Sequence, residues 1–456
     1  MSEQTTTAEQ IAAFALRVDD ADFAEGALDR LKRSVLDTVG CAIGALGAEP
    51  VRRIRELVAE LGGSIRCTLI GGGSAAPDRA ALVNGCLVRY LDFMDNTAAP
   101  GEVCHPADNF APLLAAAEYA GRNGRELLTA LAVAYQVQTR LIETLPTMQA
   151  GINYTTPLAF SVAAGAARLL GLEQKAASNA LALAGVSAVS LAVIQAEPVS
   201  QWKGLASGET GSRALHNTLL AAAGITGPMG VFDGPFGLDH LAGGHSRADW
   251  SRERLDAPLR TSIKRYNAEF QSQSAVDAAV ELHRRGLATD QIVRVRLEVA
   301  RGAYDVIGGG SYGSKDEVRD KEQADHNLKY LVAVALLDGA VESEQFTTDR
   351  ILRDDVQDLL HKVEVHPNGT FTRRIPEEMR CRLTLRLEDG AEHEVTRSEY
   401  DGFWTRPMTW ADVSAKFHRL ARPFASDALR DEIVNVVRSL ESVRLEELTR
   451  VLSRVR

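Results

Sequence analysis

The sequence predicts a mainly α-helical protein with a large all-helical domain and a smaller α+β domain. Three observations lead to this prediction. At 456 residues the chain exceeds the usual size of a single domain, so two domains are expected. Apolar residues recur with the period of an amphipathic helix as far as about residue 260. The pattern then changes to the alternation that is typical of half-buried strands, with shorter helices between them.

The first part of the chain is predicted to be helical throughout. Residues 8–62 read as two helices, in which Gly40 and Gly44 mark a close approach to a neighbouring element. Further helices are predicted near residues 111–145, 156–170, 174–194 and 207–224. Residues 176–194 carry no charge, but their serine, asparagine and alanine content favours a buried helix over a membrane span. No membrane partner is therefore expected.

A small α+β domain is predicted over residues 264–403. Its strands are expected at 293–299, 363–365, 381–387 and 393–395, and its helices near 274–285 and 328–337. Asp389 and Gly390 supply the turn of a hairpin between the last two strands. Residues 404–456 are predicted to be a helical tail that rejoins the first domain, residues 1–263.

Charge and cysteine content restrict the classes of function. The net charge of −10 argues against nucleic acid or an anionic membrane as a partner, although a small anion can still bind in a local basic pocket. The five cysteines are scattered and form no CxxC pair, which argues against an Fe–S cluster or a structural zinc site. Such cysteines indicate reduced thiols in the cytoplasm. The first residues, Met1–Thr5, lack the pattern of a signal peptide.

The densest group of polar residues lies in two short segments, LDFMDNT (91–97) and CHPADN (104–109), between long apolar helices. Buried polar groups without partners cost free energy, so this is either an exposed loop or a site at the edge of a helical core. Pro106 restricts the backbone next to His105. Asp92 and Asp95 near a histidine suit proton transfer, although carboxylates at this spacing also cap helices or lie in solvated turns.

Two lysines stand where anions are readily bound. Lys203 precedes a helix that is expected to begin near Ser207, and a helix N-terminus attracts negative charge. Lys264 lies at the proposed domain junction, where ligand clefts often form. Each could equally be an ordinary surface lysine. Asp325 is interpreted as the N-cap of the next helix. The glycines of Gly308–Gly313 match a dinucleotide-binding pattern only formally, and a flexible loop is the preferred interpretation.

Taken together, these segments resemble the MmgE/PrpD family, whose members dehydrate 2-methylcitrate, decarboxylate cis-aconitate or epimerise iminodisuccinate. The resemblance is carried by LDFMDNT (91–97), HPADN (105–109), residues 201–238, SIKRYNAEFQSQSAVDAA (262–279) and ADHNLKYLVAVALLDG (324–339). It implies that the α+β domain is a lid, that the chain forms a homodimer, and that the active site lies between the domains and uses no cofactor or metal.

The resemblance also implies the site residues. Asp92, His105, Lys203, Lys264 and Tyr330 match positions of the family's active site. The family's threonine position is filled by Thr97 or by Asn96. Gln271 and Tyr154 are expected in the substrate site, where other members carry a histidine.

The sequence therefore predicts a carbon–oxygen lyase for a small di- or tricarboxylate, with dehydration of 2-methylcitrate as the best named reaction. Lys203 and Lys264 would bind carboxylates, and His105 would transfer a proton while Asp92 orients it or shares its proton. Tyr330 would donate to the leaving oxygen or to a carboxylate. Decarboxylation or epimerisation are the alternatives within the family, and a carboxylate-binding protein without catalysis is the alternative of another class.

Overall fold

The structure is a computed structural model that describes residues 5–456. It is 57% helical, which confirms the prediction of a mainly α protein. The prediction about a signal peptide falls largely on residues 1–4, outside the described residues. No helix of the described chain is long and apolar enough to cross a membrane.

The helices up to residue 263 form the larger part of the molecule. They are α1 (Thr7–Arg17), α2 (Ala27–Gly44), α3 (Glu49–Leu61), α4 (Pro77–Tyr90), α5 (Phe110–Tyr119), α6 (Gly124–Thr144), α7 (Thr155–Leu169), α8 (Gln174–Ser187), α9 (Ala206–Ala222) and α10 (Leu238–Ala242). Two short antiparallel hairpins lie among them, made of β1 (Cys67–Thr68) with β2 (Ser74–Ala75) and of β3 (Thr97–Ala99) with β4 (Glu102–Cys104).

A four-stranded sheet occupies the later part of the chain. Its strands are β5 (Ile292–Val299), β6 (Val363–Pro367), β7 (Cys381–Leu387) and β8 (Glu392–Arg397). They lie in the order β6-β5-β7-β8, with β5 parallel to β6 and antiparallel to β7. The four strands predicted from the sequence are all present. Alternate residues of β7 are buried, as its apolar–polar alternation requires.

The remaining helices surround this sheet or follow it. Around the sheet are α11 (Gln273–Arg284), α12 (Arg301–Ile307), α13 (Lys321–Ala324), α14 (Leu328–Asp338), α15 (Thr348–Ile351), α16 (Asp354–Leu360) and α17 (Gly369–Thr372). The tail forms α18 (Trp410–Ala421), α19 (Asp427–Arg438) and α20 (Leu445–Leu452).

The buried apolar side chains fall into two large clusters. The first contains residues between 8 and 263 together with residues between 408 and 455, so the tail helices share the core of the N-terminal helices. The second contains residues between 266 and 395, packed on the sheet. Domain borders at residues 264 and 403, and a lid formed by the residues between them, stay predictions.

Close packing of two helices brings two parts of the polar site together. A Cβ atom on Gly85 of α4 would stand 2.8 Å from the Cα of Gly208 in α9, so only glycine allows the helices to approach this closely. The residues after α4 carry Asp92, and those before α9 carry Lys203. Gly40 acts similarly on α2, because its Cβ would stand 3.2 Å from the ring of Phe417.

Three details of the sequence prediction were wrong. The first part of the chain is not all-helical, since its hairpins of two or three residues per strand are too short to show as alternation. Residues 8–62 form three helices rather than two, and Pro50 lies in the first turn of the third, which begins at Glu49. The helix predicted for 174–194 ends at Ser187, whose hydroxyl bonds back to its own helix.

Candidate active site

A cavity of about 480 Å³ is lined by residues 92–195 of the first part of the chain and by residues 269–379 of the later part. Four of the predicted site residues line it: Asp92, His105, Tyr154 and Gln271. Its other polar lining residues are Glu102, Gln149, Gln195, Glu269, Arg301, Asp305, Ser311, Tyr312, His326 and Thr372. The predicted residues Thr97, Lys203, Lys264 and Tyr330 are not in its lining.

The polar segment before α5 is folded into the protein and is not an exposed loop. The Asp95 carboxylate accepts hydrogen bonds from the backbone N–H of Ala107 (2.8 Å) and from the hydroxyl of Tyr135 (2.7 Å). Asp95 thereby ties the segment before hairpin β3–β4 to the segment after it. Burial raises the pKa of Asp95 to about 7, because desolvation disfavours its charged form.

Asp92 is the centre of a buried ion-pair network. Its Oδ1 atom is 2.6 Å from Arg89 and 2.7 Å from the Lys264 ammonium, which also donates to the Asp92 backbone oxygen at 2.7 Å. Burial alone would raise the pKa of Asp92, but Arg89 and Lys264 outweigh it and hold that pKa well below its usual range. Asp92 also has a positive φ of 55°, an uncommon conformation that these contacts stabilise.

A second buried network joins Lys203 to the segment before α14. The Lys203 ammonium donates to the Asp325 carboxylate, whose other oxygen is 2.8 Å from Lys321. Asp325 is not the N-cap of α14, as the sequence suggested; the Asn327 side chain holds that position by accepting from Tyr330 N–H at 3.1 Å. Asp325 is instead a fully buried counter-ion.

His326 links the two networks and lines the cavity. Its Nδ1 atom is 3.0 Å from Asp325 Oδ1, 3.1 Å from the Lys203 ammonium and 3.5 Å from Asp92 Oδ2. Burial, helped by the positive charge of Lys203, lowers the pKa of His326 to about 4, so the imidazole is neutral at pH 7. We call Arg89, Asp92, Lys203, Lys264, Asp325 and His326 the floor of the cavity.

His105 presents one free ring nitrogen to the cavity. Its Nδ1 atom lies 3.2 Å from the Asp95 backbone oxygen, which can only accept, so Nδ1 carries the proton and Nε2 keeps its lone pair. Burial, with Arg89 and Lys264 adding to it, holds the pKa of His105 well below its usual range. Its hydrogen-bond partner is thus the Asp95 backbone oxygen and not Asp92, and the orienting role of Asp92 stays a prediction.

Tyr154 stands beside His105 in the same wall. The two rings meet edge to face with centroids 4.9 Å apart. The Tyr154 hydroxyl accepts from Arg89 Nε at 2.8 Å and lies 3.2 Å from the Ser207 hydroxyl. Tyr154 therefore connects the histidine to the floor.

Glu269 is a cavity residue that the sequence reasoning missed. One of its carboxylate oxygens accepts from the backbone N–H of Gln271 at 2.6 Å. Burial raises the pKa of Glu269 to about 7, while Lys264 opposes the rise. The protonated form of this group is therefore populated near neutral pH, so Glu269 is able to act as an acid. The signal that could have indicated it in the sequence is its position in the segment AEFQSQ (268–273), which is part of the family resemblance.

Tyr330 and Thr97 are directed away from the cavity. The Tyr330 hydroxyl donates to the backbone oxygen of Gln345, and its ring packs near Phe346 within the second apolar cluster. Thr97 lies 3.2 Å from the Thr261 hydroxyl. Asn96 pairs through its backbone with Ser262. The structure brings none of these side chains to the cavity lining.

The tail contributes a buried lysine behind the floor. Lys416 of α18 donates to the backbone oxygens of Phe93 (2.7 Å) and Lys264 (2.9 Å), and it is 2.7 Å from Asp37. It holds the backbone next to Asp92 and the backbone of the lysine that binds Asp92. The predicted return of the tail to the helical part thus supports the site directly.

The charges of the floor favour a bound anion. Asp92, Asp325 and His326 offer ligand atoms within 4.8 Å of one another, a grouping that a metal ion can use. Both carboxylates, however, are already paired with two cations each, and a metal ion would be repelled by those cations. We therefore assign no metal to this group. With cations in excess of carboxylates, the floor attracts a substrate carboxylate.

Comparisons with known proteins identify the family of the chain. The model of the MmgE/PrpD N-terminal domain matches residues 9–251, and that of the MmgE/PrpD C-terminal domain matches residues 266–442. Cis-aconitate decarboxylase of Mus musculus is 26% identical over 457 residues, covering 94% of this chain and 89% of the relative. The 2-methylcitrate dehydratases of Escherichia coli K12 and Cupriavidus necator are 26% and 28% identical, each covering 82% of this chain and 81% of the relative.

Proposed function

The chain belongs to the MmgE/PrpD family, and on that premise we propose that it is a cofactor-independent lyase that dehydrates a small di- or tricarboxylate, with 2-methylcitrate as the named substrate. One observation carries the proposal. A neutral histidine with a free lone pair and a carboxyl group with a pKa of about 7 line the same cavity, above a floor rich in cations. These are the base, the acid and the anion site that dehydration requires.

The floor supports binding of the substrate. Its cations neutralise Asp92 and Asp325 and leave positive charge beneath the cavity. Lys203 and Lys264 act here through the field that they create, since both ammonium groups are buried and already bonded. When an anion is bound, Lys203 can donate to His326 Nδ1, and His326 then offers an Nε2–H donor to the substrate carboxylate.

The proton transfers follow from the two titratable groups. His105 Nε2 takes the proton on the carbon next to a carboxylate, and the electron pair left behind forms the new double bond. The carbon–oxygen bond at the neighbouring carbon breaks. Glu269 gives its proton to the departing hydroxyl group, which leaves as water. Negative charge that develops on the substrate carboxylate is stabilised by the cations of the floor.

Decarboxylation of cis-aconitate is the second candidate. It is favoured by the mouse relative, which bears that name and covers 94% of this chain. Loss of carbon dioxide also leaves an electron pair beside a carboxylate, so the same floor would stabilise it. In this reaction a protonated residue would deliver a proton to carbon, and Glu269 is placed for that step as well.

A substrate panel tests the proposal. Purified protein is incubated with 2-methylcitrate, citrate, cis-aconitate and iminodisuccinate, and products are followed by mass spectrometry and proton NMR. Loss of water from 2-methylcitrate supports dehydration, loss of carbon dioxide from cis-aconitate supports the second candidate, and inversion of iminodisuccinate supports epimerisation. The variant His105→Gln, prepared identically, controls for contaminating enzymes. Ligand-induced thermal stabilisation without any turnover would point to a non-catalytic carboxylate-binding protein.

We also propose that the chain works as a homodimer with residues 264–403 as a lid. Large apolar side chains are exposed between α8 and α9, at Val186, Val189, Leu191, Val193 and Trp202. Such a concentration of exposed apolar side chains is typical of an interaction surface. Light scattering is expected to give about twice the chain mass of 49.3 kDa, and a monomer at micromolar concentration would contradict the proposal.

A further inference from the structure

We propose that Arg301 and Gln271 form a second carboxylate subsite in the cavity, separate from the floor, so that the protein selects substrates with at least two carboxylates. This inference deepens the proposed function. It rests on that function for the reaction, whereas carboxylate binding at Arg301 does not depend on it. We call Gln271, Arg301 and Tyr312 the rim of the cavity.

The first argument is the distribution of cations. Arg301 is the only arginine or lysine in the cavity lining of the described chain. Arg89, Lys203 and Lys264 lie behind the lining and are bonded to carboxylates of the floor. A substrate with two carboxylates can place one over the floor. Its second carboxylate needs a cation elsewhere in the cavity, and Arg301 is the group that supplies it.

The second argument is the geometry of Arg301. Its Nε donates to Asp305 Oδ2 at 2.7 Å, and this is its one side-chain hydrogen bond among residues 5–456. Both Nη groups are therefore available, on a side chain that is 63% exposed. A guanidinium with two free Nη groups binds a carboxylate through parallel hydrogen bonds, and Asp305 fixes its plane.

The third argument is the space that Gly302, which has no side chain, leaves for the side chain of Gln271. A Cβ atom on Gly302 would stand 3.0 Å from Gln271 Oε1, which is tighter than most real contacts. Glycine here lets the Gln271 amide lie against the first turn of α12, next to Arg301. The backbone N–H of Gln271 binds Glu269, the proposed acid, so a carboxylate held at the rim would set the distance between the leaving hydroxyl and that acid.

An ordinary surface ion pair is the competing explanation. Arg301 and Asp305 are four residues apart on one helix, and such pairs occur on many helices without any ligand. In that case, replacing Arg301 would leave carboxylate binding unchanged. The two explanations therefore predict different effects of an Arg301 substitution on the binding of a carboxylate ligand.

Titration calorimetry with unreactive ligands separates them. Glutarate has two carboxylates and no hydroxyl to eliminate, and its monoamide has the same size with a single carboxylate. Wild type is expected to prefer glutarate at least about tenfold, the ratio that one charge-assisted hydrogen bond gives. Arg301→Gln is expected to lose that preference while binding the monoamide as wild type does. Arg301→Lys keeps the positive charge but lacks the two parallel Nη donors, so it should retain part of the preference.

Arg294→Gln is the matched control. Arg294 lies on β5 outside the cavity lining, pairs with Glu364 at 2.5 Å and is similarly exposed, so its replacement removes one charge without touching the subsite. Equal losses in both glutamine variants would overturn the subsite in favour of general electrostatics, as would unchanged preference in Arg301→Gln or no binding of either ligand to wild type. Binding that depends on Arg301 without turnover of any panel substrate would sustain the subsite while the proposed function fails.

Discussion

The floor and the rim of the cavity are built in opposite ways. Floor residues are almost fully buried, and each charged group has at least one oppositely charged partner within hydrogen-bond distance. The rim has a single cation, Arg301, on an exposed side chain with one partner. The floor is therefore a fixed electrostatic environment, whereas the rim can adjust to the ligand. We therefore expect the anion binding that the proposed reactions share to depend on the floor, and the selection among substrates to depend on the rim.

The difference also concerns stability. Buried charges are costly to desolvate, and the loss of one partner leaves the other charge uncompensated. An exposed ion pair contributes little to folding, so the rim can change with little effect on the free energy of unfolding. Substitutions in the floor should therefore affect folding or turnover strongly, and substitutions in the rim should affect mainly binding.

The largest effect is expected for His105→Gln, which keeps hydrogen bonding but removes the base beside the floor. Turnover should fall by about 10²–10⁴-fold, the usual contribution of a general base. The fold should persist, and His216→Gln, on the surface of α9, is the control. Because the pKa of His105 is held well below its usual range, wild-type turnover should not decline as the pH falls through about 6.5, where a solvated histidine titrates. Full turnover in His105→Gln would remove this residue from the mechanism.

Next in size is Lys264→Met, which breaks the floor itself. It leaves the buried Asp92 carboxylate with Arg89 as its remaining close partner. The free energy of unfolding should fall by about 3 kcal/mol, the lower end of the range for a broken buried pair, because Arg89 stays in place. Urea denaturation measures it, with Lys329→Met as the surface control. A loss no greater than in the control would show that the floor is not a stabilised network.

A smaller and pH-dependent effect is expected from Glu269. Its raised pKa of about 7 means that the acid is present below that pH and is lost as the pH rises through it. Turnover should therefore decline above about pH 7, by a factor of ten for each further pH unit. Glu269→Gln should be slow and lack this decline. An identical high-pH limb in wild type and Glu269→Gln would assign the titration to another group.

The smallest effect is expected for Tyr330→Phe. The Tyr330 hydroxyl donates to Gln345 inside the second apolar cluster and does not reach the cavity lining. Turnover should stay within about twofold of wild type, while stability falls by about 1 kcal/mol, the usual value of a lost hydrogen bond. Steady-state kinetics and urea denaturation check both. A hundredfold loss of turnover would restore Tyr330 as the acid and would show that residues outside the cavity lining take part in the reaction.

The sequence predicted the fold well where its periodic patterns were long. Helices of more than ten residues and the strands of the sheet show clear periods, so α11, α14 and β7 were placed within about two residues. The hairpins near residues 67–104 were missed because strands of two or three residues leave no periodic signal. The end of α8 was misplaced because residues 188–194 stay apolar after the helix has ended.

The sequence brought four of the predicted site residues to one cavity but gave no partners for them. Asp92, His105, Tyr154 and Gln271 line this cavity, and their segments carry polar residues that an apolar core would not otherwise contain. The partners of Asp92 could not be deduced, because Lys264 is 172 residues away and meets it only through the packing of the chain. Tyr330 follows the cavity residue His326 by four positions, yet the course of the chain at the start of α14 turns it into the core.

Lys416 has a consequence for how the protein is made. The ribosome releases the segment with Asp92 early, together with the helices that surround it, and domains generally begin to fold during synthesis. The ammonium that holds the backbone of Phe93 and Lys264 is made only with α18, after every residue of the floor. A chain cut short before residue 416 contains every residue of the floor but lacks the group that holds these two backbone segments together. Such truncated products are expected to lack a correctly held floor even though all of its residues have been synthesised.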